Sequence, residues 1–354
     1  MNTPSTPTQN PPTQNATRFV GVDVHKETLY FDADNLFRGE IQNQGKDILQ
    51  TLQKLQTKAG ANTPLHVCCE ATGTYTRPLA GACWQLELPI SMANPARVRK
   101  YAEGMGVLGK TDKADARVIR LYAEEAARQA ETANAVPLRP HTPPDPVRDK
   151  LRQTHDLRDL CVEHRTRLSN ALAAITLPEF QRDIQIQLRA LDARIEKLEA
   201  LLAETVREAG PAFAGLVKAV DGIKGVGFLT ATKLVALCPE LGTLTRRGSA
   251  SLAGLAPYPK DSGNVSGPRQ IRGGRKPLRN ALYMAAGVAA RHNDVLKEFY
   301  QRLREAGKHH NVAVTAVMRK LFYYANVVAA EHQRSLAAPV PETPPTSPSG
   351  ATAD

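Results

Sequence analysis

Three strand-like runs precede the first helix of this chain, and that order constrains its fold more than any other feature. The runs are "RFVGVDV" from Arg18, "TLYFDA" from Thr28 and a shorter one near "RGEIQNQ", followed by a helix over about Lys46 to Lys58. An apolar strand "LHVCCEAT", a helix around "YTRPLAGACWQLE", a strand "PISMANP" and helical segments through Ala127 come next. Consecutive strands joined by short turns pair as an antiparallel meander, whereas strands separated by helices pair in parallel. The chain therefore predicts an α/β domain with a mixed sheet.

This order fits an RNase H-like core spanning residues 18–134. The segment "AVPLRPHTPPDPV" holds five prolines and reads as a linker over 135–146. Residues 147–208 are charged and strongly helical. Leu157, Cys161, His164, Leu168, Ala171 and Ile175, then Ile184, Leu188, Leu191, Ile195, Leu198 and Leu202, alternate in steps of four and three. Such spacing gives one apolar seam per helix. The "LPEF" break at 177–180 reads either as the tip of an antiparallel helical hairpin or as a kink in one long coiled coil. Pairing with another subunit and packing on the chain's own partner helix produce the same pattern.

A third region, 211–330, is mainly helical. Its turn "GIKGVG" joins two helical stretches as in helix-hairpin-helix elements, which hold phosphate on backbone N–H groups, with Lys224 at hand. Residues 1–17 and 337–354 are rich in Pro, Thr and Ser and read as disordered tails.

The charge of +11 over 354 residues favours a polyanionic partner such as nucleic acid. Five cysteines without a C-x-x-C pair argue against structural zinc or a disulfide framework. The N-terminal stretch lacks an apolar h-region and no run of eighteen apolar residues occurs, which predicts a cytoplasmic protein without a membrane span.

Asp23 stands amid Val20, Val22 and Val24, where an ionised carboxylate is costly to bury without a partner. It either faces solvent on an edge strand or caps a turn, or it is a metal ligand on a rigid support. Glu70 ends the strand "LHVCCE" and raises the same question. Asp112 and Asp115 are three apart, so on a helix they share a face, although Asp112 could instead be an N-cap. An all-oxygen set of this kind suits Mg²⁺ or Mn²⁺ in phosphoryl transfer.

The fragments "VGVDVHKETL", "CCEATGTYTRPLA", "YAEGMGVLGKTDKADARVIRLYA", "GIKGVGFLTATKLVA" and "GLAPYPKDSGNVSGPRQIRGGRKPLRNALYMAA" together resemble the DEDD/serine transposases of bacterial insertion sequences, the IS-one-ten family, related to Piv-type DNA invertases. The resemblance runs from Arg18 to about Ala330. It implies a RuvC-like N-terminal domain whose Asp, Glu, Asp, Asp set falls on Asp23, Glu70, Asp112 and Asp115, coinciding with the acids chosen on physical grounds.

It also implies a serine transposase domain. The family's pattern of Pro, then Ser-Gly, then Ile-x-Gly-Gly-Arg is met by Pro257, Ser262, Gly263, Ile271, Gly273, Gly274 and Arg275. That makes Ser262 the candidate nucleophile, with a second Ser-Gly pair at Ser266-Gly267 where relatives usually carry a basic residue. Arg269, Arg272, Arg275, Lys276 and Arg279 are candidates to neutralise DNA phosphates. Further implications of the resemblance are donor and target DNA as substrates, a structured noncoding guide RNA from the element's own ends, and homodimers assembling into a tetramer. The place of action would be the bacterial cytoplasm, at the nucleoid when DNA is bound. The alternative is an RuvC-like metal-dependent nuclease or invertase with no covalent serine intermediate.

Overall fold

The structure, a computed structural model, describes residues 17–71, 73–107, 111–130, 138, 140–259, 267 and 269–337. Most of both expected tails, and part of the expected linker, lie outside the described residues. The chain divides into two compact units, residues 1–143 and 144–354.

In the first unit the strands are β1 (Arg18–Val24), β2 (Thr28–Asp32), β3 (Arg38–Gln42), β4 (Leu65–Glu70) and β5 (Ile90–Ala93), and the helices α1 (Gly45–Ala59), α2 (Arg77–Gln85), α3 (Pro95–Gly104) and α4 (Asp112–Gln129). The sheet order is β3-β2-β1-β4-β5. Strands β1, β2 and β3 pair antiparallel, and β1 with β4 and β4 with β5 pair parallel. This is the meander followed by parallel additions that the element order predicted.

Alternation along β1 sorts its residues between two layers. Val20, Val22 and Val24 are all but inaccessible and pack with Ile48, Leu52 and Leu55 of α1 and Leu79 of α2. The opposite face belongs to a separate cluster in which Cys68 and Ala93 meet Val98 of α3 and Val118, Ile119 and Ala123 of α4. Each buried Val or Leu contributes about 1.5–3 kcal/mol, so a one-residue slip of β1 would forfeit one whole layer. The Pro-rich stretch is tied down at Pro140 and His141: Pro140 forms a β-bridge with Ser91, and the His141 carbonyl accepts from Trp84 Nε1 at 2.8 Å.

The second unit begins with α5 (Pro146–Leu172) and α6 (Pro178–Glu208). Ion pairs link Lys150 to Glu208, Arg158 to Glu199 and Arg165 to Asp192. Partner numbers that fall on one side as they rise on the other define an antiparallel hairpin, which rejects the reading of one kinked helix. On α6 the expected seam holds, with Ile184, Leu198 and Leu202 buried. On α5 half of it does not: Leu157, His164 and Ala171 are exposed, and the inward positions are taken by Leu151, Thr154, Arg158 and Cys161. Arg158 is the reason, because its stem packs inward while its guanidinium reaches Glu199 at 2.6 Å.

The rest of the unit comprises α7 (Pro211–Asp221), α8 (Phe228–Leu237), α9 (Arg246–Leu252), the two-residue strands β6 (Pro257–Tyr258) and β7 (Gln270–Ile271), then α10 (Lys276–His292), α11 (Asp294–Glu305) and α12 (His310–Ala337). Leu151, Leu202 and Val206 join the same core as Val220, Leu234, Leu282, Leu321 and Phe322. The base of the hairpin is thus continuous with the C-terminal helices. Among the described residues no helix is long and apolar enough to cross a membrane.

His155 on α5 is 2% exposed and bonds through Nε2 to Thr232 Oγ1 on α8 at 3.0 Å. The Thr232 hydroxyl donates its one proton to the Phe228 carbonyl at 2.9 Å, so His155 Nε2 is the donor, and burial keeps the imidazole neutral. Burial lowers its pKa to about 4. Because the folded pKa lies below the unfolded one, stability is complete above about pH 6.5 and is lost as pH falls toward 4, by on the order of 3 kcal/mol. Urea titrations followed by circular dichroism should show this decline, and His155→Gln should flatten it.

Candidate functional site

Alternation along β1 places Gly21 and Asp23 together on the face opposite the valines, toward α4. A Cβ on Gly21 would lie 2.1 Å from the Ala116 carbonyl oxygen and 2.6 Å from the Arg120 amide nitrogen. Helix α4 therefore packs with its backbone directly against β1 because residue 21 has no side chain. An ion pair fixes the same contact: Arg120 Nε meets Asp32 Oδ1 at 2.6 Å, with Arg120 6% and Asp32 1% exposed. Asp32 also accepts from Arg38 at 3.0 Å, and Arg120 reaches Glu124 at 2.5 Å, so both charges are partnered.

This docking brings the start of α4 to the carboxyl end of β1. Asp23 is 9% exposed and sits on the central strand, which overturns the reading of a solvent-facing residue on an edge strand. Thr111, not Asp112, is the N-cap: its hydroxyl accepts from the Ala114 amide at 3.2 Å. Asp112 is then the first helical residue, where the helix dipole favours a carboxylate and its oxygens remain available.

His25, just past β1, joins the two acids. Its Nε2 lies 3.2 Å from Asp23 Oδ2 and 3.3 Å from Asp112 Oδ1. One ligand atom from each of Asp23, His25 and Asp112 falls within 4.8 Å of the others. His25 is absent from the sequence-derived set. Its signal was its position two residues after Asp23, the spacing that returns to the same side of a strand.

Glu70 closes β4. The register opposes Val22 to Cys69, so one step further sets Glu70 level with Asp23 across the point where the chain's strand order reverses. Ligand sites of open α/β sheets form at the carboxyl ends of strands at such a point. Glu70 and Asp115 are half-buried and stand outside the 4.8 Å trio. Burial pushes the Asp23 carboxyl above its ordinary pKa; His25 opposes this and the Asp112 charge adds to it. Asp23, Asp112 and His25 together make a donor set that fits a divalent cation, and the imidazole widens that fit from Mg²⁺ toward Mn²⁺ and other transition ions.

In the second unit, Ser262 lies outside the described residues, as do Gly263 and Ser266. The residues flanking that segment are described, and β6 pairs with β7 through Pro257 with Ile271 and Tyr258 with Gln270. Gly254, Gly273 and Gly274 all have positive φ, and a Cβ on Gly274 would stand 2.1 Å from the Gly254 nitrogen. Gly274 of Ile-x-Gly-Gly-Arg and Gly254 opposite it thus permit two backbones to cross.

The basic candidates separate into different roles. Arg275 grips Glu240 through two bonds of 2.7 and 2.8 Å and the Leu237 carbonyl at 2.9 Å. Its fork is used internally because α10 has to be pinned to the end of α8. Arg279 donates to the Gly273 carbonyl at 2.7 Å, and Arg272 lies over the Tyr258 ring. Arg269 and Lys276 are exposed. Lys224 is exposed in the turn between α7 and α8, 3.3 Å from Asp294.

An α/β unit with carboxylates at the carboxyl edge of its sheet, followed by a basic helical unit, suits phosphoryl transfer on a polyanion. The family described as "Transposase IS116/IS110/IS902 family" matches residues 217–301, and the DEDD transposase family of IS110 matches residues 20–180. The pilin gene-inverting protein of Moraxella bovis is 26% identical over 325 residues, 89% of this chain and 96% of that protein. The insertion element IS900 uncharacterized 42 kDa protein of Mycobacterium paratuberculosis is 33% identical over 158 residues, 42% of this chain and 36% of that protein. The IS116 uncharacterized 44.8 kDa protein of Streptomyces clavuligerus is 32% identical over 141 residues, 39% and 34% of the two chains. The chain belongs to the IS110/IS116/IS902 transposase family and is an enzyme of DNA cleavage and recombination.

Two outcomes are expected. Gly21→Ala forces α4 off β1, costing roughly 1–3 kcal/mol of stability and weakening Mn²⁺ binding measured by calorimetry, because Asp112 is carried away from Asp23. Asp23→Asn removes the carboxylate whose ionisation the fold disfavours, so the metal-free protein melts higher at neutral pH while Mn²⁺ binding is lost. The sign follows from a raised folded pKa: the ionised carboxylate destabilises the fold as pH rises through that value.

Proposed function

We propose that the protein is a divalent-metal-dependent DNA transposase that breaks and exchanges strands through Ser262. The observation that carries this reading is the convergence of Asp23, His25 and Asp112 at the carboxyl edge of β1, with Asp23 buried. The strand order β3-β2-β1-β4-β5 supports a RuvC-like, RNase H-like unit built to present such a site. Asp23, Asp112, Glu70 and Asp115 would hold Mg²⁺ or Mn²⁺, which supplies charge stabilisation for a displaced oxygen. His25, hydrogen-bonded through Nε2 to Asp23 and 3.3 Å from Asp112, helps to hold the two acids in place.

Ser262 Oγ attacks a DNA phosphorus, a deoxyribose oxygen leaves and takes a proton, and the phosphoserine ester conserves the bond energy for resealing. Pairing of β6 with β7 and the crossing at Gly254 and Gly274 fix the segment's two ends, while Arg269, Arg272 and Lys276 offer charge to the DNA backbone. A structured guide RNA, implied by the family resemblance, would provide base pairing to donor and target, and the +11 charge suits two polyanions. Homodimers assembling into a tetramer, implied by the family resemblance, would cover the hairpin's exposed apolar side chains, Leu160 at 61%, Ile186 at 63% and Phe180 at 53% exposure. The length of the match to the pilin gene-inverting protein favours, as a second reading, the same chemistry on inverted sites.

Incubating the protein with labelled DNA containing its element ends tests the mechanism. A covalent protein–DNA adduct is expected, and Ser262→Ala should abolish both adduct and recombination by on the order of 10³-fold or more. Asp23→Asn should do the same. Cleavage without an adduct, unaffected by Ser262→Ala, would establish a water-using nuclease instead.

A further inference from the structure

The C-terminal unit carries a second basic surface that neither the acidic trio nor the Ser262 segment uses. Helices α11 and α12, the turn after α7 and the start of α9 surround a cleft of about 920 Å³. Five cations line it, Lys224, Arg246, Arg302, Arg319 and Lys320, against two carboxylates, Asp294 and Glu331. One of those carboxylates is already engaged by Lys224. Among the described residues, Arg246, Arg302, Arg319 and Lys320 have no carboxylate within ion-pair distance.

Aromatic rings stand among these cations. Helix α12 buries Val317, Met318, Leu321, Phe322 and Ala325 on its inner face, which leaves Arg319, Lys320, Tyr323 and Tyr324 outward. Arg319 and Tyr323, and likewise Lys320 and Tyr324, are four residues apart, so each cation shares a helix face with a ring one turn further along. Tyr324 is 59% exposed, a large apolar ring left in water where the inner face of its helix is sealed. Across the cleft Lys320 Nζ sits 3.8 Å from the centroid of the Phe299 ring, which holds that cation at the wall.

We infer that this cleft binds a single-stranded polynucleotide segment, an unpaired base stacking on Tyr324 while its flanking phosphates meet Arg319, Lys320 and Arg246. Alternating rings and cations suit a strand that alternates bases and phosphates. An intact duplex hides its base faces and would leave the tyrosines unused, and an acidic peptide would use the cations alone. The inference rests on the reading that this enzyme handles nucleic acid, and it adds a site in the second unit for the unpaired stretches that strand exchange exposes.

Fluorescence anisotropy of the full-length protein tests it, with short labelled oligouridine and oligothymidine strands beside duplex DNA from the element end. Tyr324→Ala should weaken single-strand binding roughly tenfold or more, Tyr324→Phe should retain it, and Arg319→Gln should weaken it and reduce its salt dependence. Duplex binding should be unchanged in all three. Preference for oligouridine identifies RNA as the occupant and preference for oligothymidine identifies DNA, either result upholding the cleft. Single-strand binding unaltered by both Tyr324→Ala and Arg319→Gln would overturn the inference while leaving the enzyme's proposed function intact. Displacement of wild-type-bound strands by poly-glutamate at comparable affinity, itself lost in Tyr324→Ala, would assign the cleft to an acidic peptide. Failure of the wild-type protein to bind any strand or duplex would remove the nucleic-acid reading itself.

Discussion

The approach of α4 to β1 at Gly21 is the constraint on which the first unit's chemistry depends. Without a side chain at residue 21, the helix backbone lies against the central strand, and the buried pair of Arg120 with Asp32 locks it at that distance. Each member keeps a second partner, Asp32 with Arg38 and Arg120 with Glu124, so the pair is part of a four-residue network. Its alignment is set by Asp32 standing opposite Gly21 in the β1–β2 register, so clamp and gap occur at one level of the sheet. The first residue of α4 is thereby delivered to the end of β1, and Asp112 shares His25 with Asp23.

The second unit relies on an analogous device with a different outcome. Two backbones cross at Gly254 and Gly274, and Arg275 with Glu240 secures the crossing beside the paired strands β6 and β7. Motif residues that look like a basic phosphate-binding loop are therefore divided between building and binding. Arg275 builds, because its planar guanidinium is held at three points by Glu240 and the Leu237 carbonyl. Arg269 and Lys276 remain exposed, and the cation–aromatic face of α12 adds charge to the same unit.

Much of the first unit was legible because its signals are local. Val20, Val22 and Val24 alternate, the strands precede the helices in a telling order, and Asp23 is conspicuous as a carboxylate in an apolar run. His25 was less visible, since an exposed histidine after a strand gains meaning only when a helix from far along the chain brings Asp112 beside it. Thr111 and Asp112 are adjacent residues able to cap a helix, and only backbone geometry chose between them. On α5, heptad spacing suggested Leu157 and His164 for the inner face, but Arg158 took an inward place because Glu199 waited across the hairpin.

Sequence by itself determined the strand and helix pattern, the basic charge and the acids able to hold a cation, because periodicity and residue chemistry are properties of neighbouring positions. Tertiary structure alone decided which of those acids meet, that His25 stands between two of them, and that Arg275 pairs with Glu240. Those outcomes depend on distances between segments remote along the chain, and such distances follow from packing: whether a Cβ is present at Gly21, and which buried charge finds its partner.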